Sequence, residues 1–142
     1  MKRGSKAIGW IVAVLLLFLW REYGPGLPSE TLRGDSAVAQ AFARQRSGVM
    51  VEVTGRAQRL LPETLKESQV QRFILELENG QILLIEHDLN VAAKVPLEQW
   101  DPVSVRGEYE WTAQGGRIDW THRDPGIGLK HGWIEYKGKR YD

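Results

Sequence analysis

The sequence predicts a mainly β protein: a small five-stranded antiparallel barrel, preceded by a short α-helix and an N-terminal transmembrane helix. Three observations lead to this prediction. Residues 7–20 form an apolar run without a polar side chain. From Val49 onward, apolar and polar residues alternate with the period of a β-strand. Turn sequences typical of β-hairpins stand at residues 79–80, 114–116 and 137–138.

The composition is that of an ordinary folded protein, and it excludes several classes. The chain has 142 residues, of which 42% are hydrophobic and 26% are charged. These values exclude a disordered tail and a collagen-like repeat. The length allows one domain with additional segments rather than two full domains. Because the chain contains no Cys, disulfide-stapled mini-proteins, thiolate catalysis, Cys-ligated zinc and iron–sulfur clusters are also excluded.

Residues 1–24 are predicted to form a signal anchor, a transmembrane helix that crosses the membrane once. Lys2, Arg3 and Lys6 precede the apolar run, and no acidic residue lies in or before it. At about 1.5 Å per residue, a helix over residues 7–20 is about 21 Å long, so flanking residues must complete the span of about 30 Å. By the positive-inside rule, the basic end stays in the cytoplasm. We therefore expect a single-pass inner-membrane protein whose C-terminal domain is periplasmic.

A cleaved signal peptide is the alternative interpretation of this segment, because its apolar region has a suitable length. The first Ala-x-Ala site, at residues 37–39, lies far beyond the apolar run, which favours an uncleaved anchor. Residues 25–35 contain several Gly and Pro residues and are predicted to be a linker between the bilayer and the domain. The domain itself is assigned to residues 36–142.

Within this domain the periodicity changes from helical to strand-like near Val49. Asp35 or Ser36 suits a helix N-cap, and Val38 and Phe42 belong to an apolar stripe with helical spacing. Alternation and turn signals then predict five strands, over residues 49–54, 72–78, 81–88, 103–111 and 117–122. A small terminal hairpin is predicted over residues 133–141.

Five short strands cannot build a large sandwich, whereas a small closed or half-open barrel removes exposed strand edges. An OB-like barrel is the first choice and an SH3-like barrel is the alternative. Gly107 falls on the inward-facing side of its predicted strand. A glycine at that position permits the sharp coiling that a small barrel requires.

Chemically reactive side chains concentrate near the C-terminal end of the chain. His122, Asp124 and His131 fall within ten residues, and His87 and Trp133 complete the candidate site. Imidazole and carboxylate groups together suit zinc or another divalent metal, so His122, Asp124 and His131 are the candidate metal ligands. The same groups suit general acid–base chemistry. Their spacing matches no metal-site spacing, so a structural role, in which His122 and Asp124 hold the loop by hydrogen bonds, stays open.

The functional hypotheses follow from the anchor, the barrel and the motifs that are missing. No phosphate-binding loop, serine-hydrolase motif or zinc-protease motif occurs in the chain. The leading hypothesis is therefore a membrane-anchored periplasmic binding or interaction module that uses the barrel face and the loop after His122. The alternative is a metal-assisted hydrolase that uses the His122, Asp124 and His131 cluster, with His87, to hold a nucleophilic metal-bound water. A structural subunit of a membrane complex is a third interpretation, and whether the protein is an enzyme is left undecided.

The expected partners follow from topology and charge. Residues 7–20 are expected to contact the inner membrane, and the domain is expected to bind an envelope protein or a small molecule. Beyond residue 20 the chain has 16 basic residues (19 − 3) and 18 acidic residues. The external domain is therefore slightly acidic, which argues against nucleic acid as a partner. The sequence predicts no cofactor, and a divalent metal at the candidate site is the alternative.

Six blocks of the sequence occur in a characteristic order: Gln45-Arg46-Ser47-Gly48-Val49, Arg59-Leu60-Leu61-Pro62, Gln71-Arg72-Phe73-Ile74, Gly80-Gln81-x-Leu83-Leu84-Ile85, Gly107-Glu108-Tyr109-Glu110-Trp111 and Gly115-Gly116-x-Ile118-x-Trp120-Thr121-His122-x-Asp124-Pro125. Together they resemble a family of bacterial envelope proteins, the domain of unknown function 3465. The resemblance covers about residues 36–142 and implies a small exported β-domain without an established activity. Val70 and Asp119 stand where that family often has histidine, which argues against a metal site built from many histidines.

Overall fold

The computed structural model of the chain describes residues 14–15, 31–63, 69–124, 126 and 130–142. Apart from Val14 and Leu15, the predicted signal anchor lies outside these residues. No helix within the described part of the chain is long and apolar enough to cross a bilayer.

The described residues form one helix and eight strands. In chain order the elements are β1 (Leu32–Arg33), α1 (Asp35–Ala43), β2 (Val49–Leu60), β3 (Val70–Leu77), β4 (Ile82–Asp88), β5 (Pro102–Glu110), β6 (Arg117–Asp119), β7 (Trp133–Tyr136) and β8 (Lys139–Tyr141). The helix, the main strands and the terminal hairpin stand where the sequence predicts them. Four details differ. β1 lies in the stretch predicted to be a linker, β2 extends six residues beyond its predicted end at residue 54, and β6 ends three residues before its predicted end at residue 122. The N-cap of the helix is Gly34 rather than the predicted Asp35 or Ser36.

Five of these strands close a barrel. Hydrogen bonding follows the order β2-β3-β4-β6-β5, and β5 returns to pair with β2 along residues 49–56. β4 and β6 run parallel, and the other neighbours within the barrel are antiparallel. This closed order is that of an OB-like barrel, so the predicted fold class is confirmed. The parallel pair is the one feature of the barrel that the antiparallel prediction missed.

The length of β2 allows one strand to serve two sides of the barrel. Residues 49–56 of β2 pair with β5, whereas residues 55–60 pair with β3. The register of the second pairing shifts between Ala57 and Arg59. Such a β-bulge bends the strand and increases its twist, which helps a short sheet to close on itself.

The barrel interior is filled by apolar side chains that alternate with partly exposed ones along each strand. Tyr109, Phe73 and Ile118 are among the largest fully buried side chains. Burial of apolar surface contributes about 25 cal/mol per Å², so this core is the main source of stability. Gly107 faces the same interior, and a Cβ atom there would overlap the carbonyl oxygen of Asp119. Glycine at this position therefore allows β6 to approach β5.

Helix α1 covers one end of the barrel with apolar side chains. Val38 is buried in the core, and Phe42 stacks on Trp111, with 6.2 Å between the ring centroids. The backbone N–H of Asn79, in the turn between β3 and β4, donates to the Asp35 carboxylate at 3.3 Å. The helical stripe predicted from the sequence is the face that the helix buries.

The opposite end of the barrel is closed by the loop over residues 89–101, which buries Val95 in the core. The side-chain amide of Gln71 donates to the Val95 carbonyl at 2.7 Å and accepts from the Val95 N–H at 2.9 Å. His87 lies directly opposite Gln71 in the pairing of β3 with β4. Its Nε2 lies 2.9 Å from the carbonyl oxygen of Ala93. Gln71 on β3 and His87 on β4 thus attach this loop to the end of the barrel by hydrogen bonds.

Candidate functional site

Most of the candidate residues lie at a break in the barrel sheet, between β6 and β7. β6 pairs with residues 108–110 of β5, and β7 pairs with residues 104–106 along the same edge. β6 and β7 therefore occupy a single strand position. The chain leaves the sheet opposite Gly107 after β6 and returns to it at β7. The segment between them, of which residues 120–124, 126 and 130–132 are described, is named the excursion.

Close contacts fix the base of the excursion. Trp120 turns the chain out of the sheet with a backbone φ of 53°, a conformation that is uncommon for a bulky residue. Its Nε1 donates to the Lys130 carbonyl at 3.0 Å, and the Gly132 N–H donates to the His122 carbonyl at 2.9 Å. A Cβ atom on Gly132 would overlap the carbonyl oxygen of Trp120. Glycine is thus required where the chain returns to the sheet.

His87 and His122 lie inside the protein. The buried polar side chains of the described residues are Gln71, His87, Thr121 and His122. Because the Ala93 carbonyl can only accept, Nε2 of neutral His87 carries the proton. Nδ1 then faces the Thr121 hydroxyl at 2.7 Å, and this hydroxyl also lies 3.2 Å from the Glu86 carbonyl. Burial lowers the pKa of His87, and nearby His122 lowers it further. His87 is therefore neutral at pH 7, and the protein already engages both of its ring nitrogens.

His122 and Asp124 contribute to the base of the excursion in different ways. The His122 ring packs against Trp120 in a tilted arrangement, with 4.7 Å between the ring centroids and 36° between the ring planes. Within the described part of the chain its buried Nδ1 has no hydrogen-bond partner, so only its backbone carbonyl serves as a tie. Asp124 is partly exposed, and its carboxylate accepts from the Gly126 N–H at 2.9 Å. This local turn agrees with the structural role that the sequence left open for Asp124.

The residues considered as metal ligands do not come together as one site. Among the described residues, no group of three or more His, Asp or Glu side chains is placed to hold a metal ion. His87 is enclosed in the barrel, Asp124 closes a turn, and His131 is exposed. The metal-assisted alternative therefore gains no geometric support from this part of the chain.

His131 and Trp133 instead line a pocket of about 500 Å³ on the outer side of the barrel. It is named the arginine pocket, because four guanidinium groups face it; its lining residues are Arg33, Glu52, Arg106, Arg123, His131, Trp133, Arg140 and Asp142. Strand register explains why these residues meet. Arg33 on β1 lies opposite Glu52 on β2, and Glu52 lies opposite Arg106 on β5. Arg106 in turn lies opposite Trp133 on β7, and cross-strand neighbours share one face of a sheet.

Glu52 holds two of the guanidinium groups in place. Its Oε2 is 3.3 Å from Nε of Arg33 and 3.4 Å from Nη1 of Arg106. Arg106 also donates from Nε to the His131 carbonyl at 2.7 Å. This contact links β5 to the excursion. The Glu52 carboxylate and the His131 carbonyl thus hold the Arg33 and Arg106 side chains in position in the absence of a ligand.

The remaining two guanidinium groups are held at the outer wall. Arg123 of the excursion donates from Nη2 to the Asp142 carboxylate at 3.0 Å. The Arg140 guanidinium lies over the Trp133 ring, 4.4 Å from its centroid, and donates from Nε to Glu135 at 3.1 Å. Counting lining side chains only, four arginines stand against two carboxylates, an excess of two positive charges.

A second group of charged residues, on β4, β5 and β6, is acidic. Asp119 lies opposite Glu108 in register, and burial, together with nearby Glu108 and Glu86, raises the pKa of Asp119, whereas Arg117 opposes the shift. Lys130 of the excursion donates to the Glu108 carboxylate at 2.6 Å. Lys130 and Arg117 therefore neutralise part of the negative charge of this group.

The outer face of β3 and β4 is the surface that many OB-folds use for ligands. In this chain its partly exposed charged side chains are Arg72, Glu76, Glu86 and Asp88. Three carboxylates against one guanidinium make this face a poor site for anions. The arginine pocket, on the other side of the barrel, has the opposite charge balance.

The closed five-stranded barrel, with an excursion in one strand position, defines this protein as a small OB-like barrel domain. The chain belongs to the family described as "Protein of unknown function (DUF3465)", which matches residues 27–142. The resemblance noted in the sequence is thereby confirmed, and the match includes the helix and all eight strands. A search of the curated proteins finds no match.

Two residues of the arginine pocket, His131 and Trp133, are among the site residues predicted from the sequence, whereas its arginines are not. The alternation of strand 103–111 does place Arg106 on the outer face. No local signal in the sequence shows that Arg33 and Arg140, from distant segments, lie beside it.

Proposed function

We propose that the protein is a periplasmic binding module that takes an anionic ligand in the arginine pocket. The observation that carries this proposal is the convergence of four guanidinium groups from β1, β5, β8 and the excursion on one pocket. Guanidinium groups are the side chains best suited to bind carboxylate and phosphate oxygens. Because Glu52 and the His131 carbonyl already orient Arg106, binding requires less ordering of side chains.

Thermal unfolding of the full chain in detergent tests this proposal with sulfate as the probe. A ligand that binds only the folded state stabilises it by RT ln(1 + [L]/Kd), and the melting temperature rises accordingly. At matched ionic strength, we expect sulfate to raise the melting temperature of the wild type more than chloride does. Arg123→Gln removes one pocket cation and should lose this extra rise.

Arg59→Gln is the matched control, because Arg59 is exposed on the second half of β2, outside the arginine pocket. It carries the same charge change and should keep the full response to sulfate. An equal response of the wild type and both variants would show that sulfate acts only as a general stabilising salt, and would contradict the proposal.

We also propose that residues 1–24 anchor this module in the inner membrane and that the domain faces the periplasm. The apolar run and its basic flank support this topology. Cleavage after Ala39 would divide α1 and remove Val38, which is buried in the core. The protein should therefore stay in the membrane fraction after carbonate extraction. A soluble mature form that begins after Ala39 would overturn the proposal.

A further inference from the structure

We propose that the arginine pocket binds the terminal phosphate group of a phosphate monoester. This inference rests on the proposed function, since it names the ligand class of the same pocket. Three features of the pocket support it: the guanidinium nitrogens that have no partner among the described residues, the charge balance of the lining, and the space beyond the size of one phosphate group.

The first feature is that each arginine is held through only some of its nitrogens. Arg33 and Arg140 contact carboxylates through Nε, and Arg123 does so through Nη2. Arg106 uses Nε and Nη1. Within the described part of the chain, every one of these guanidinium groups therefore keeps at least one terminal nitrogen without a protein partner. A phosphate monoester offers three terminal oxygens to such donors, whereas a carboxylate or a phosphodiester offers two.

The second feature is the charge balance. The lining side chains carry an excess of two positive charges, four guanidinium groups against Glu52 and Asp142. Glu135 pairs with Arg140 but does not line the pocket. A phosphate monoester carries a charge of about −1.5 to −2 at pH 7. A carboxylate or a phosphodiester carries a single negative charge and would leave more of the pocket's charge uncompensated.

The third feature is the size and polarity of the pocket. Its volume of about 500 Å³ lies within the usual range for small-molecule sites, about 300–1,000 Å³. A phosphate group alone would leave most of this space empty, so the alcohol part of an ester also fits. The indole ring of Trp133 in the lining is covered by the Arg140 guanidinium group. The organic part of the ligand should therefore be small and polar.

Isothermal titration calorimetry of the full chain in detergent tests the ligand class. Glycerol 3-phosphate and methyl phosphate are the monoester probes, and dimethyl phosphate is the diester control. At pH 7.5 and matched ionic strength, we expect both monoesters to bind at least tenfold more tightly than the diester. Arg106→Gln and Arg123→Gln should each weaken monoester binding at least tenfold, and Arg59→Gln should leave it unchanged.

Arg123→Gln should not disturb the fold, because the Arg123 side chain is 68% exposed and its removal leaves the strand contacts intact. Arg106 is more enclosed and contacts both Glu52 and the excursion. If Arg106→Gln loses its fold, Arg123→Gln still decides the result. Monoester binding that survives Arg123→Gln at full strength would overturn the assignment to this pocket.

A change of pH provides an independent readout of the ligand's charge. The second pKa of a phosphate monoester is about 6, so at pH 5.5 most of the ligand carries a single charge. Glycerol 3-phosphate should therefore bind about three- to fourfold more weakly at pH 5.5 than at pH 7.5, relative to sulfate. Sulfate stays doubly charged at both values and therefore reports any change in the protein itself. An identical pH response of the two anions would contradict the monoester class.

A lipid that carries the same phosphate group distinguishes a soluble ligand from a lipid ligand. Phosphatidic acid in the detergent micelle carries a monoester headgroup, whereas phosphatidylglycerol carries a diester. Binding of glycerol 3-phosphate assigns a soluble source, and binding of phosphatidic acid alone assigns a lipid source; either result supports the monoester class. Dimethyl phosphate or phosphatidylglycerol binding as tightly as the monoesters would overturn that class and leave the anion-binding function standing. If no anion binds, sulfate included, both proposals fail.

Discussion

The loop-bearing end of the barrel and the arginine pocket are both rich in polar side chains, but the two regions use them in opposite ways. At the barrel end, Gln71 and His87 are buried, neutral and paired with backbone groups of one loop. In the pocket, Arg123 and Arg140 are exposed and charged, and they keep unpaired donors within the described chain. Buried neutral pairs add to stability, whereas solvated charges add little to stability and suit a ligand. His87 and His131 differ in the same way, because His87 is buried and hydrogen-bonded whereas His131 is exposed.

The largest effect expected from this comparison is the loss of His87. In His87→Leu, the Ala93 carbonyl loses its side-chain donor and the Thr121 hydroxyl keeps only the Glu86 carbonyl as a partner. The loss of two hydrogen bonds should cost about 2–3 kcal/mol of unfolding free energy. His131→Leu is the matched control, because that side chain is exposed and its replacement should cost about 0.5 kcal/mol or less. Urea unfolding measures both variants. Equal losses would mean that the two histidines do not differ in role.

A smaller loss is expected for Gln71. Gln71→Leu leaves the buried N–H of Val95 without a partner and the Val95 carbonyl with only the Leu97 N–H, which should cost about 2 kcal/mol. Gln99→Leu removes an exposed amide that donates to the Gln58 carbonyl, and we expect almost no change there. Hydrogen exchange should also show faster opening of the loop over residues 89–101 in Gln71→Leu. Unchanged exchange in that loop would contradict its attachment through Gln71.

A further loss of stability should appear on acidification. Burial lowers the folded pKa of His87 below its ordinary value of about 6.5. The unfolded chain therefore binds the proton more readily than the folded chain. The stabilisation from neutral His87 is complete above pH 6.5 and is lost as the pH falls from there towards the lowered folded pKa.

Urea unfolding between pH 7.5 and 5.5 measures this loss, and His87→Gln isolates it from other titrating groups. Asp119 and Glu110, whose pKa values are raised chiefly by burial, are present in both proteins. The wild type should lose more stability than His87→Gln over this interval. Parallel pH profiles of the two proteins would show that His87 does not carry the effect.

The smallest change in stability is expected in the arginine pocket. Arg123→Gln breaks an ion pair with Asp142 whose guanidinium side is largely exposed, so it should cost about 0.5 kcal/mol or less. The same variant should abolish the extra response to sulfate. A destabilisation as large as that of His87→Leu would mean that Arg123 is a structural residue, and it would remove the contrast between the two regions.

Much of the fold was predictable because its signals are local. The alternation in β3, β4 and β5, and the turn at residues 79–80, depend on neighbours in the chain. The apolar stripe of α1 depends on them as well. The fold family could also be recognised, since its sequence blocks stand in order along the chain.

The candidate site was predictable only in part. The spacing of His122, Asp124 and His131 suggested one cluster, but the structure distributes these residues over the base of the excursion and the arginine pocket. His87 belongs to neither, because it faces the barrel interior. Proximity in sequence was a poor guide here, because His122 is buried against Trp120 whereas His131 is exposed beside the arginine pocket.

The sequence by itself determined the strand periods, the turns, the helix and the barrel class, because these follow from steric preferences and the burial of alternate side chains. The tertiary structure alone decided that β6 and β7 share one strand position, that β4 and β6 run parallel, and that Arg33, Arg106 and Arg140 meet. The physical reason is strand register. Pairing across the sheet sets which distant side chains become neighbours, and it depends on closure of the whole barrel rather than on any single segment.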